Sequence, residues 1–177
     1  EHCKMLLGPE HALLREEFRK AKKHLRKRDG TIKNILVFYG GSDLTNETEK
    51  AIEALVQLHD EGYNFTADVI TGVSNSRREK IEKICSKYHF VHYYCQVSNM
   101  AEFMNKADLM LGAGGSTTWE RLYMELPALV TAVAENQIQG CEDCCKAGVI
   151  NYLGKAEKVT VGIIREAIKQ MPLLIEN

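Results

Sequence analysis

Leu111-Gly112-Ala113-Gly114-Gly115-Ser116-Thr117-Thr118-Trp119-Glu120 carries an apolar run into a new helix through three glycines and three consecutive hydroxyls. Glycine lets the main chain approach an anion closely, and the first amides of a helix have no partner within it. Ser116, Thr117 and Thr118 supply capping groups there, while the positive end of the helix dipole favours phosphate. The stretch reads as a phosphate cradle between a strand and a helix, with Glu120 one turn in and placed to hold a ribose.

The same alternation runs outward in both directions. Upstream, Ile35-Leu36-Val37-Phe38-Tyr39 within Lys33 to Tyr39 has the unbroken apolar character of a strand buried on both faces, and Gly40-Gly41-Ser42-Asp43 ends it. A helix from Asn46 to Glu61 follows, with Ala51, Ile52, Leu55, Val56 and Leu58 at helical spacing. The spacing then predicts a strand from Phe65 to Thr71, a helix from Ser76 to Tyr88, a strand from Phe90 to Tyr94, a helix from Met100 to Ala107 and a strand from Asp108 to Leu111. Downstream it predicts a helix over Thr117 to Glu125, a strand over Ala128 to Val133, a helix over Gln137 to Ala147, a strand over Val149 to Tyr152 and a helix over Val161 to Gln170. Strands alternating with crossover helices specify the α/β class, a doubly wound, parallel, six-stranded sheet of Rossmann-like type. Residues 1–30 read as an entry segment and connecting helix, helical from Glu10 to Arg28, and residues 31–177 as one domain.

Composition narrows the partners. A formal net charge of -1 over 177 residues is not that of a dedicated nucleic-acid binder, and no apolar run is long enough to span a bilayer. The chain opens on Glu1-His2-Cys3-Lys4, without a signal peptide, and is expected to be a cytoplasmic piece of a longer protein. The basic run from Arg19 to Arg28 is expected to be a solvated helix face, diluted by Glu16, Glu17 and Asp29. Cys141, Cys144 and Cys145 could share an ion, but neither a second C-x-x-C nor a histidine pair is near, so reduced thiols and no metal are expected. The histidines show no ligand spacing, and no cofactor is expected.

In the commonest order for such a sheet the first and fourth strands lie side by side, and ligands sit beyond their carboxyl ends. Gly40-Gly41-Ser42 leaves the first strand and Gly112 to Ser116 leaves the fourth, so the two loops are expected to converge. Each alone could be a tight turn, and Asp43 with Ser42 or Asn46 could cap the next helix. The letters exclude several chemistries. The first strand is not followed by G-x-G-x-x-G, G-x-x-x-x-G-K-[ST] is absent, and Gly114-Gly115-Ser116-Thr117-Thr118 lacks the closing glycine of a hydrolase elbow.

Three passages together resemble a known family: Leu6-Leu7-Gly8-Pro9-Glu10-His11-Ala12-Leu13-Leu14-Arg15, Gly40-Gly41-Ser42-Asp43, and Gly112 to Arg121 with Ala134-Glu135-Asn136-Gln137. They are similar to the UDP-sugar hydrolase of pseudaminic acid biosynthesis and its relatives in spore coat polysaccharide synthesis. The resemblance implies the second half of a two-domain enzyme of glycosyltransferase-B type, hydrolysing a UDP-linked diacetamido-trideoxy hexose to free sugar and UDP. It implies that main-chain amides around Gly114, Gly115, Ser116 and Thr117 bind the diphosphate, Glu120 the ribose, and the backbone at Val97 the uracil. Gly41 and Ser42 would line the other wall, and Asn136 with Gln137 would face the sugar. The catalytic base would lie in the amino-terminal half, so that half and a UDP-sugar are the expected partners. Glu120 could instead be an acid favoured by the helix dipole, and Asn136 and Gln137 could simply begin a helix. A UDP-dependent glycosyltransferase would share this half, and a non-catalytic nucleotide-binding or interaction module is the third reading.

Overall fold

The computed structural model describes residues 11–171. In chain order it contains α1 (Glu16–Lys22), β1 (Asn34–Phe38), α2 (Glu47–Asp60), β2 (Thr66–Thr71), α3 (Arg78–Cys85), β3 (Val91–Cys95) and α4 (Met100–Lys106). β4 (Leu109–Ala113), α5 (Thr117–Tyr123), β5 (Ala128–Ala132), α6 (Glu135–Lys146), β6 (Asn151–Lys155) and α7 (Val161–Lys169) complete it. The six strands form one parallel sheet in the order β3-β2-β1-β4-β5-β6, so β1 and β4 are neighbours as expected. Their register pairs Val37 with Leu111 and Phe38 with Gly112, which ends both strands at one level.

Side chains alternate across a strand, and here the alternation builds two cores. Ile35, Val37, Leu109 and Leu111 face α2, α3 and α7 with Ile52, Leu55, Ile81, Ile164 and Ile168. Leu36, Met110 and Val130 face the opposite layer with Phe18 of α1, Met104 of α4 and Cys141 of α6. Each fully buried side chain of this size contributes about 1.5 to 3 kcal/mol, which is why central strands tolerate apolar residues on both faces.

The entry helix is much shorter than the basic run suggests. Glu10 lies outside the described residues, and the helix ends at Lys22 rather than Arg28. The carbonyls that close two other helices claim the basic side chains instead. Arg28 donates through Nη2 to Met104 O at 2.8 Å, through Nε to Ala107 O at 2.9 Å, and through Nη1 to Met124 O at 3.2 Å and Glu125 O at 3.1 Å. Arg26 donates to Asn105 O at 2.7 Å and Lys106 O at 2.8 Å and pairs with Asp108, while Lys22 donates to Tyr123 O at 2.8 Å. The last carbonyls of α4 and α5 have no acceptor role within their own helices, and cations suit the negative end of a helix. Of the run expected to be solvated, Arg19, Lys20, Lys23 and Lys27 are exposed, whereas Arg26, Arg28 and Lys22 hold the fold together.

Other boundaries move as well, among them α3, which spans Arg78–Cys85 rather than Ser76 to Tyr88. β4 continues through Gly112 and Ala113, past the expected end at Leu111. α6 begins at Glu135, placing Asn136 and Gln137 in its first turn. β6 starts at Asn151 rather than Val149, and its pairing with β5 slips between Val130 and Thr131 before Thr131 pairs with Gly154. Such a slip is a bulge, which a period-two pattern does not announce.

Candidate functional site

The loops leaving β1 and β4 meet at the carboxyl end of the sheet, around two adjoining clefts. The larger, about 700 Å³, is lined by Gly41, Val97, Met100, Thr117, Glu120 and Arg15 among others. The smaller, about 320 Å³, is lined by Gly114, Gly115, Thr118, Asn136, Gln137, Cys141 and Cys144 among others. Ser116 and Trp119 border both, so the two are compartments of one site. Nine of the ten expected residues are thereby brought together. Ser42 is exposed and borders neither compartment. Its neighbour Asp43 caps α2, its two carboxylate oxygens accepting from Glu47 N and Thr48 N at 2.9 Å each.

Close backbone approach explains two glycines. A Cβ on Gly72 would fall 2.5 Å from Gly41 O, so the loop after β2 lies directly against the loop after β1. A Cβ on Gly114 would run into Cys141 Sγ, so α6 packs hard against the phosphate-type loop. Nothing in the sequence marks Gly72 as a site residue, because a closing glycine after a strand looks the same whether or not another backbone rests on it. Gln96, at φ 55, folds the chain after β3 back with its amide donating to Thr71 O at 2.9 Å, and this turns Val97 into the larger cleft.

The loop amides differ in availability. Gly114 N donates to Thr131 O at 3.2 Å, extending the β4–β5 ladder, so this amide is committed to the fold rather than open to a ligand. The amides of Gly115, Ser116 and Thr117 have no protein acceptor among the described residues. The hydroxyls do not cap as expected. Ser116 is already helical at φ -57, ψ -28 and its side chain caps nothing, while Thr118 Oγ1 accepts from Arg121 Nη2 at 3.2 Å. In the smaller cleft, Gln137 Oε1 accepts from Val133 N at 3.0 Å, which fixes its amide plane beside Gly115.

Glu120 is engaged from outside the sheet. Arg15 Nε donates to Glu120 Oε1 at 2.9 Å, Arg15 Nη1 pairs with Glu17 at 2.7 Å, and the guanidinium lies 5.0 Å from the Phe18 ring centre. The hydrogen bond to Glu120 raises the Arg15 pKa, against the lowering by burial. Nothing local to Leu13-Leu14-Arg15 announces this contact, which spans 105 positions.

Burial pushes the Cys141 thiol up to about 11 despite the opposing charge of Arg121, and burial pushes Cys85 up to about 12. Both are protonated core thiols at neutral pH, and the five described cysteines are free. Among the described residues no cluster of three or more His, Cys, Asp or Glu is placed to hold a metal, and no helix is long and apolar enough to cross a membrane. A separate concavity of about 450 Å³ lies beside Lys50, Glu135 and Lys155. Its lysines are engaged, Lys50 with Glu47, Ala156 O and Val159 O, and Lys155 with Glu135.

Residues 34–152 match the model of the glycosyltransferase family 28 C-terminal domain. The chain belongs to this family. The family 28 match opens on the first residue of β1 and closes within β6, so the loops that follow the strands fall inside it, whereas Ala12, Leu13 and Arg15, which also line the larger cleft, fall outside. Curated relatives include protein MJ1062 of Methanocaldococcus jannaschii, 30% identical over 90% of this chain and 32% of the relative. Another is the spore coat polysaccharide biosynthesis protein SpsG of Bacillus subtilis, 29% identical over 86% of this chain and 44% of the relative. This family 28 domain thus spans less than half the length of either. Solved structures sharing the fold include Acinetobacter baumannii MurG, with a TM-score of 0.64 and 15% identity over 89% of this chain and 46% of that one. The Neisseria meningitidis UDP-GlcNAc 2-epimerase bound to UDP-GlcNAc aligns with a TM-score of 0.62 and 18% identity over 86% of this chain and 40% of that one.

Proposed function

We propose that the paired compartments bind a UDP-sugar, the uridine in the larger cleft and the sugar in the smaller, with the diphosphate crossing between them at Ser116. The observation that carries this reading is that Ser116 and Trp119 belong to both clefts, with Val97 and Glu120 on one side and Asn136 and Gln137 on the other. Membership of the glycosyltransferase family 28 C-terminal domain and the likeness to SpsG support it. The amides of Gly115, Ser116 and Thr117 are the diphosphate donors, Glu120 accepts from the ribose, and the Val97 backbone meets the uracil edge. Gly41 closes the wall opposite.

The reaction is hydrolysis of a UDP-linked diacetamido-trideoxy hexose by a longer, two-domain protein of which this chain is the carboxyl-terminal half. Water attacks the anomeric carbon and UDP departs. Charge develops on the departing diphosphate, and amides already aimed at it lower the barrier without reorganising. No histidine lines either compartment among the described residues, and the base that activates water belongs to the amino-terminal half. The isolated chain therefore binds UDP weakly and turns nothing over.

Two-dimensional NMR of the chain titrated with UDP tests the binding. Signals of Ser116, Thr117 and Glu120 are expected to move, and shifts confined to another region would remove the site. The family description favours a second reading, transfer of the sugar to an acceptor. Release of free sugar by the full-length protein, measured with and without acceptor, separates hydrolase from transferase.

A further inference from the structure

Arg121 is 0% exposed, yet among the described residues its Nε and Nη1 have no hydrogen-bond partner. Only Nη2 is used, donating to Thr118 Oγ1. Burial lowers its pKa to about 10, so the guanidinium remains a cation at neutral pH. A buried charge without a counter-charge is strongly unfavourable, and a fold that keeps one has a use for it or a partner for it. The two thiols that feel this charge, Cys141 and Cys144, are themselves held protonated by burial and do not neutralise it.

The location indicates the missing partner. Thr118, Cys141 and Cys144 all line the smaller compartment, together with Gly114, Gly115 and Ser116. The guanidinium therefore stands behind the wall of the cleft where the loop amides lack acceptors. Because Thr118 Oγ1 already accepts from Arg121, its own proton is left to donate away from the arginine. A hydroxyl polarised in this way by a cation is a stronger donor to an anion.

Resting on the nucleotide reading above, we propose that Arg121 is the buried counter-charge of the ligand's diphosphate, a positioning residue that acts through the Thr118 hydroxyl. An anion on the loop completes the electrostatics that the protein's own groups leave uncompensated. The required ligand feature is the phosphate charge, not the base or the sugar.

Calorimetric titration of wild type, Arg121→Met, Arg121→Lys and Thr118→Val with UDP, inorganic pyrophosphate and uridine tests the proposal. Arg121→Met and Thr118→Val should each weaken UDP and pyrophosphate by about tenfold or more while leaving uridine unchanged, and Arg121→Lys should retain most of the affinity. Ligand-free Arg121→Met should melt no lower than wild type, since it loses an uncompensated charge. A merely structural arginine predicts the reverse, a lower melting temperature with unaltered discrimination between pyrophosphate and uridine. If wild type and Arg121→Met bind UDP equally, the proposal falls and the nucleotide reading stands. If pyrophosphate binds in an Arg121-dependent way but UDP does not bind, the proposal stands and the nucleotide reading falls. If wild type binds neither, both fall. Should Arg121→Met fail to fold, arginine-selective 15N labelling of wild type decides: the Arg121 Nε resonance should move on saturation with pyrophosphate, and an unmoved resonance overturns the proposal.

Discussion

Glu120 Oε1 accepts a hydrogen bond from Arg15 Nε at 2.9 Å, joining residues 105 positions apart at the edge of the larger cleft. A carboxylate has about four lone-pair directions, so this bond orients Glu120 without exhausting it. In the proposed complex the remaining capacity meets the ribose hydroxyls. Glu120→Ala should weaken UDP about tenfold, or about 1.4 kcal/mol, with a smaller loss for 2′-deoxy-UDP. Equal losses for the two nucleotides in a calorimetric comparison would remove the ribose role.

Gly114→Ala should destabilise the fold by about 1 to 3 kcal/mol, because the new methyl group meets Cys141 Sγ in a packed wall. Adding Cys141→Ala removes the sulfur and should restore much of the loss. Urea midpoints of the two single variants and the double variant measure the coupling, and simple additivity would show that the contact is not the cause.

Arg28 closes α4 and α5 at once, through Met104 O, Ala107 O, Met124 O and Glu125 O. Arg28→Ala leaves those carbonyls short of donors and should cost about 2 to 4 kcal/mol. Arg28→Lys should recover only part of this, since one ammonium lacks the planar fork that reaches both helix ends. Chemical denaturation reads both values.

Glu47 is 0% exposed and accepts from Lys50 at 2.8 Å, and burial raises its pKa above the ordinary carboxylate value. The folded state then holds this proton more tightly than the unfolded chain does. Its contribution is fully present below the unfolded pKa and is lost as pH rises through the raised folded one. Glu47→Gln should flatten that part of the stability profile. Denaturation midpoints measured from pH 4 to pH 8 check it, and parallel profiles for the two proteins would contradict it.

That β1 and β4 are interior strands was readable because such strands are apolar on both faces, as Ile35-Leu36-Val37 and Leu109-Met110-Leu111 are, and their adjacency came from the commonest order of a doubly wound sheet. Given that order, the convergence of the loops after β1 and β4 followed, and Gly41 and Ser116 do border one cleft. Capping was misread at Ser116, because a hydroxyl before a helix announces a cap whether or not its backbone is extended, and here it is already helical. The extent of α1 was misread for a different reason. Local propensity favours continuing a basic helix, but the donors of Arg26 and Arg28 are worth more on the helix ends of α4 and α5.

The glycine and hydroxyl stretch from Gly112 to Thr118 was sufficient to announce a turn from strand to helix and a backbone able to approach an anion, since those are local properties of residue type. Folding decided which parts of it are available. Gly114 N is spent on Thr131, Glu120 is held by Arg15, and Thr118 is held by a buried Arg121. Each of the first two pairings reaches across the chain, and the third depends on which face of α5 is turned inward. Patterns of period two and 3.6 fix an element and its buried face, but the partner of a polar atom is set by what the other elements bring within hydrogen-bonding distance.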